Sequence, residues 1–284
     1  MSLSTVLFLF LAHLGVGIVV TLLFVARDAG VKFFRFNAGL AAILLVIALA
    51  FYVQSVRTLA VRTYDGSSLS ALHVTIAADV LPLVLSTVLT VLWWATIGRR
   101  FTRFRTPILA VAAVAGVAAV VLQALEIFSG ASPTLAALAV ASFLTSSLLL
   151  GGACTAMILG HWYLVIPSME VAYLQSIVRV HIASMAARVV VVAAAVWFAI
   201  ASFRPEVDPG PSFRHYIFSI DGIFFWQRVL FGLVGPAVLS YLTWQTAKIR
   251  STQSATGILY VDFFTVVVGE VLAKYLVLAT RVPV

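Results

Sequence analysis

Charge is what this chain has least of. Only 10% of its 284 residues are charged and 63% are hydrophobic, where soluble domains carry about 25% charged residues. So few polar side chains cannot cover a water-soluble core, and the mean hydropathy of +1.12 agrees. Cysteine is nearly absent as well. The single Cys154 excludes an internal disulfide and any cysteine-ligated zinc or iron–sulfur centre, and it reads as a small apolar filler among glycines. There is no HExxH, GxSxG or P-loop, no acidic metal cluster, and no CxxCH for covalent haem, so the familiar catalytic frameworks are missing.

What is present is long apolar runs. A helix needs about 20 apolar residues to cross a bilayer, and eight segments qualify: about 3–26, 36–56, 70–98, 107–128, 134–166, 171–203, 221–247 and 257–280. The expectation is an all-α polytopic membrane protein, one integral membrane domain built as a bundle of eight transmembrane helices. The first run is too long for a signal peptide, lacks a basic start, and shows no cleavage site before Arg27.

The formal net charge is +8, yet the basic residues are scattered between apolar spans, which points to loop topology rather than nucleic acid. Arginine outnumbers lysine fifteen to three, the bias of a GC-rich genome. The odd-numbered loops hold nine basic residues, among them Arg27, Lys32, Arg99, Arg100 and Lys248, against five in the even-numbered loops and the tail. The positive-inside rule then puts both termini on the non-cytoplasmic side of a bacterial inner membrane. The hinge at Ile166-Pro167-Ser168 falls in the cytoplasm and the Pro-rich loop 204–220 outside.

Two parallel four-helix halves are a further expectation. Pro82-Leu-Val-Leu-Ser86 in span three echoes Pro236-Ala-Val-Leu-Ser240 in span seven, and Leu11-Ala-His13 echoes Leu159-Gly-His161. Pro82 and Gly235-Pro236 would break spans three and seven at matching places, leaving a midplane binding site of the kind transporters use.

Polar side chains inside the spans are costly and need a purpose or a partner. At about 1.5 Å per residue, His13, Gln54, His73, Asp79, Gln123, Glu126, Gln227, Arg228, Glu270 and Lys274 fall toward the outer third of the bilayer. Arg188 lies about 22–27 Å from either end of span six, too deep to snorkel to water. It is expected to face the interior and to bind a carboxylate, backbone carbonyls or a ligand. Glu270 precedes Lys274 by four residues, the favourable order for an intrahelical pair, and Arg228 and Lys274 pairing with Asp79 or Glu270 would make a purely structural, self-neutralised cluster.

The central hairpin carries the small-residue stripe Gly152, Ala156, Gly160 and then His161, Arg179 and His181. His161 and His181 are the candidate ligands for a b-type haem, but counted from the hinge they lie about 9 Å and about 16 Å deep, a poor match for one porphyrin. The stripe also serves close helix packing, and His161-Trp162-Tyr163 fits an interfacial aromatic belt. A quinone site asks for less: a histidine or tyrosine and a carboxylate at headgroup level, with apolar walls for the tail. His13, His73, Asp79, Glu126, Arg188, Arg228, Glu270 and Lys274 are its candidates.

The eight-span layout with both ends outside is similar to membrane anchors of the polysulfide- and DMSO-reductase type. Short loops leave no soluble catalytic domain. The function expected is an integral subunit of a respiratory or photosynthetic electron-transfer complex, embedded among lipids and partner subunits and touching the quinone pool. A transporter, a haem-binding subunit and a structural anchor are the alternatives.

Overall fold

A computed structural model describes residues 3–25, 29–62, 69–98, 105–166, 170–205 and 211–284, with side chains described in all of these except 57–62, 69–79 and 105. The chain forms α1 (Leu3–Thr21, extended by a 3-10 turn at Leu22–Phe24), α2 (Val31–Arg62), α3 (Leu69–Thr96), α4 (Arg105–Ile127), α5 (Pro133–Val165) and α6 (Val171–Ala201). The short α7 (Phe213–Ile217) follows, then α8 (Ile223–Val229), α9 (Gly235–Lys248) and α10 (Thr252–Thr280). Among the described residues, seven helices are long and apolar enough to span a bilayer, and Val80–Thr96 is a shorter apolar helix. The protein is thus a polytopic all-α bundle of about eight spanning helices.

The boundaries have local causes. Ser132 caps α5 by accepting the Leu135 N–H at 3.3 Å, with Pro133 in the first turn, where a missing amide hydrogen costs nothing. Gly130 takes φ +81 in the α4–α5 turn, a conformation glycine adopts freely. At the other end of α5 the Tyr163 hydroxyl donates to the Glu170 carbonyl, and Leu174 N–H donates back to it at 3.2 Å. That clasp fixes the α5–α6 hairpin across the hinge.

α1 occupies the centre. Of its apolar window 78% is buried, against 33% for α2 and 28% for α6. It crosses α5 where Gly17 meets Gly151, so closely that a Cβ on either glycine would fall inside the other helix's backbone. Thr21 Oγ1 pairs with Thr155 Oγ1 at 2.8 Å, and Ser147 Oγ donates to the His13 carbonyl at 2.9 Å. Small residues allow this approach, and in lipid it is close packing and such hydrogen bonds that hold helices together.

Packing follows the same scheme on both sides of that crossing. α1, α2, α3 and α4 contact one another in a ring, as do α5, α6, α9 and α10, and α4 reaches α5 as α10 reaches α1. Contacts at the crossing join residues 134 apart, Thr21 with Thr155 and His13 with Ser147. His13 therefore stands opposite Ser147 at the crossing. Pro82 and Pro236 do lie on helices with equivalent neighbours, α3 and α9, but they act differently. α3 runs unbroken through Pro82. Span seven stays helical throughout but shifts its register: Leu230–Val234 forms a π-turn in which Gly235 N–H reaches the Leu230 carbonyl. Pro236, without an amide hydrogen, cannot continue the ordinary ladder there. Neither helix is severed, and the expected matching breaks reduce to a π-turn in span seven.

Candidate functional site

Two buried polar levels are stacked along α6 and α10. The deeper one centres on Glu270, which is 0% exposed. Arg188 of α6 donates to it twice, Nε to Oε1 at 3.0 Å and Nη2 to Oε2 at 3.2 Å. Arg228 of α8 donates through Nη2 to Oε1 at 2.9 Å, and Ser146 of α5 through Oγ to Oε2 at 2.5 Å. Lys274 Nζ lies 3.9 Å from Oε2, donates to Ser146 Oγ at 2.7 Å, and sits 4.9 Å from the centre of the Phe143 ring. Arg188 spends its other hydrogens on Ser142 Oγ at 2.6 Å, the Ser142 carbonyl at 3.0 Å and the Val284 carbonyl at 3.1 Å. The arginine in mid-bilayer thus faces inward, as its depth demands.

His13 joins from α1. Its Nδ1 lies 3.4 Å from Ser146 Oγ and its ring packs edge-on against Phe143 at 4.9 Å. Gln123 of α4 neighbours His13, but neither the amide of Gln123 nor His13 Nε2 finds a hydrogen-bond partner of good geometry. A polar chain thus runs Gln123, His13, Ser146, Glu270 across four helices.

The second level lies closer to the α5–α6 hinge. His181 Nε2 and Asp262 Oδ2 approach to 2.6 Å with both side chains 0% exposed. The approach is bent away from hydrogen-bond geometry, and His181 Nδ1 and Asp262 Oδ1 have no partner among the described residues. A carboxylate and an imidazole are thus buried together, each the other's nearest polar neighbour. Gly152 packs beside them at ordinary contact distance, a Cβ there falling 3.6 Å from both His181 Nδ1 and Ser184 Oγ.

Not every expected residue joins these levels. Glu126 and Gln227 are exposed at or near helix ends, and Gln54 is exposed on α2. Their faces turn outward, which an almost uniformly apolar helix does not announce. His73 and Asp79 lie outside the residues whose side chains are described. His161 is exposed, its Nδ1 2.9 Å from the Tyr260 hydroxyl. Ligation of a haem iron by His181 Nε2 would displace Asp262, whereas the Tyr260 contact of His161 is made through Nδ1 and leaves ligation by Nε2 open. Among the described residues no three His, Cys, Asp or Glu side chains converge as a metal site would require.

Sequence reasoning passed over Ser142 and Ser146, whose only signal is a polar pair at helical spacing. It also passed over a groove between α6 and α9, about 690 Å³, lined by Arg179, Ala183, Ala186, Ser240, Tyr241 and Trp244 among others. Ser240 is 2% exposed and its hydroxyl has no partner among the described residues. An aromatic and basic belt marks the hinge end of the bundle: Lys248 lies 5.3 Å from the Trp244 ring and Arg35 5.7 Å from the Trp94 ring.

No protein family, curated protein or solved structure matches the chain. The class its fold defines, a multi-pass helical membrane protein, rests on the bundle itself.

Proposed function

We propose that this protein is an integral subunit of a bacterial energy-converting electron-transfer complex, and that it meets the quinone pool at the α6–α9 groove. The observation that carries the reading is the groove. Its volume of about 690 Å³ falls in the range of small-molecule sites, which are mostly apolar with few polar groups. The walls are open to lipid, with Val190 67% and Tyr241 59% exposed, so an isoprenoid tail enters sideways without crossing water. At the hinge end Arg179, Tyr241 and Trp244 stand where a ring would rest, and the Ser240 hydroxyl is free to donate to a ring carbonyl. A quinone supplies two-electron, two-proton chemistry; the chain supplies the walls and the hydrogen bond.

Positive-inside counting and the basic and aromatic belt at the hinge end support a cytoplasmic position for that end. Partner subunits supply the redox centres.

The test is purification in mild detergent followed by lipid extraction. Quinone should co-purify with the wild type and be lost from Ala237→Trp, which fills the groove from an exposed position. A well-folded protein free of quinone and of partner subunits sinks the reading.

Transport through a midplane site is the second reading, favoured by the π-turn of span seven beside Arg228. Solute flux into proteoliposomes that Pro236→Ala abolishes would select it.

A further inference from the structure

We propose that the Arg188–Arg228–Lys274 cluster binds a small monovalent anion, a halide or a short carboxylate, at the unpartnered edge of Arg228. Two guanidinium groups and the Lys274 amine converge on the Glu270 carboxylate, with the Val284 oxygen accepting from Arg188 as well, and the side chains of Arg188, Arg228, Lys274 and Glu270 are at most 1% exposed. Charges taken out of water need opposite charge close by, and in the hydrocarbon core they mark ion or ligand sites when side chains alone do not balance. Glu270 has no capacity left. It already accepts from Arg188 twice, from Arg228 and from Ser146.

The cations differ in what remains open. Arg188 is satisfied by Glu270, Ser142 and Val284. Lys274 is turned to Ser146 and the Phe143 face. Arg228, 0% exposed, spends Nη2 on Glu270, while Nε and Nη1 have no partner among the described residues. Buried guanidinium hydrogens of this kind are the donors that bind carboxylates and other anions most strongly.

Local structure adds an independent argument. Arg228 is the penultimate residue of α8, immediately before the π-turn at Leu230–Val234, and π-turns inside spanning helices accompany functional sites. Gly232 in that turn and Gly269 on α10 are packed against the guanidinium. A Cβ on Gly232 would collide with Arg228 Nη1, and one on Gly269 would lie 3.3 Å from it. The two helices also meet backbone to backbone there, a Cβ on Gly269 falling 2.1 Å from Gly232 Cα, so the open guanidinium edge is compatible only with the smallest anions. The inference does not depend on the quinone reading.

The experiment uses the full chain in detergent or nanodiscs, with gluconate as the bulky reference anion at constant ionic strength. Chloride, bromide and formate are titrated while the unfolding midpoint is followed. At least one should raise Tm saturably, by roughly 5–10 °C at a hundredfold excess over its Kd. Arg228→Gln should abolish that rise, and Ala237→Trp in the lipid-facing groove should leave it unchanged. Should Arg228→Gln fail to fold, Lys274→Gln decides, with an apparent affinity about tenfold weaker expected. A flat Tm in all three anions for the folded wild type overturns the proposal, and so does a rise of equal size and affinity in both variants.

Discussion

Replacing Glu270 by Gln tests the physical logic of the buried cluster most sharply. The substitution keeps the side chain's shape and removes its charge, so Arg188, Arg228 and Lys274 would face one another with no carboxylate among them. Four donated hydrogen bonds of 2.5–3.2 Å end on the two carboxylate oxygens. An amide can accept at one position only, and its NH₂ would point at a guanidinium or the Ser146 hydroxyl. Breaking a buried charge pair by removing one partner costs about 3–5 kcal/mol. At about 2–4 °C per kcal/mol for a chain of this size, Tm should fall by roughly 6–20 °C. Glu170→Gln, at an exposed position outside the cluster, should move Tm by no more than about 2 °C, since surface changes stay within about 0.5 kcal/mol. The assay is thermal unfolding of both variants in identical nanodiscs. A Glu270→Gln protein as stable as the wild type would mean that the cations are not held by that carboxylate.

Other substitutions separate the remaining claims. Gly151→Leu should break the α1–α5 crossing, with aggregation or loss of several kcal/mol on size-exclusion and thermal assays. Gly257→Ala, where an added Cβ meets nothing within 4 Å, should be neutral or stabilising by up to about 1 kcal/mol. Asp262→Leu alone should destabilise more than the double change Asp262→Leu with His181→Phe, with a coupling of about 0.5–3 kcal/mol in a double-mutant cycle; purely additive effects would deny the pair. Arg188→Leu should impair assembly or activity more than Arg204→Leu in the following loop, although it removes an arginine that costs about 2.5–3.5 kcal/mol at mid-span on insertion scales. Reporters fused after Arg103 and after Pro209 should be active only in the cytoplasm and only outside, respectively; the reverse at both sites inverts the topology.

Much of the bundle was legible because a bilayer imposes length on apolar runs, and the hinge and the inward Arg188 follow from that constraint. The two polar levels could have been read more closely. His181 and Asp262 lie equally far from the first residues of α6 and α10, and Arg188 and Glu270 differ by one residue from that register. Both helices start from the same end of the bundle, so equal counts mean equal depth. What the sequence hides is direction. Spanning helices here are apolar on every face, so no periodicity told the buried Gln123 from the exposed Glu126, or showed that His13 would meet Ser146 rather than another histidine. Pro82 resembled Pro236 in its neighbours along the chain, yet only Pro236 follows a π-turn, because the glycine before it lets the ladder shift. The α6–α9 groove was illegible for a different reason: it is made by small residues, Ala183, Ala186 and Ala237, whose effect is the space they leave.

The most direct measurement of the central claim is photo-crosslinking with a quinone analogue carrying the reactive group on its tail, followed by peptide mapping of the labelled chain. Label should saturate, be competed by unmodified quinone, and fall on α6 within residues 182–190 and on α9 within residues 237–244. Label that does not saturate, or that spreads over the lipid-facing sides of α2 and α3 as readily as over this groove, contradicts the assignment.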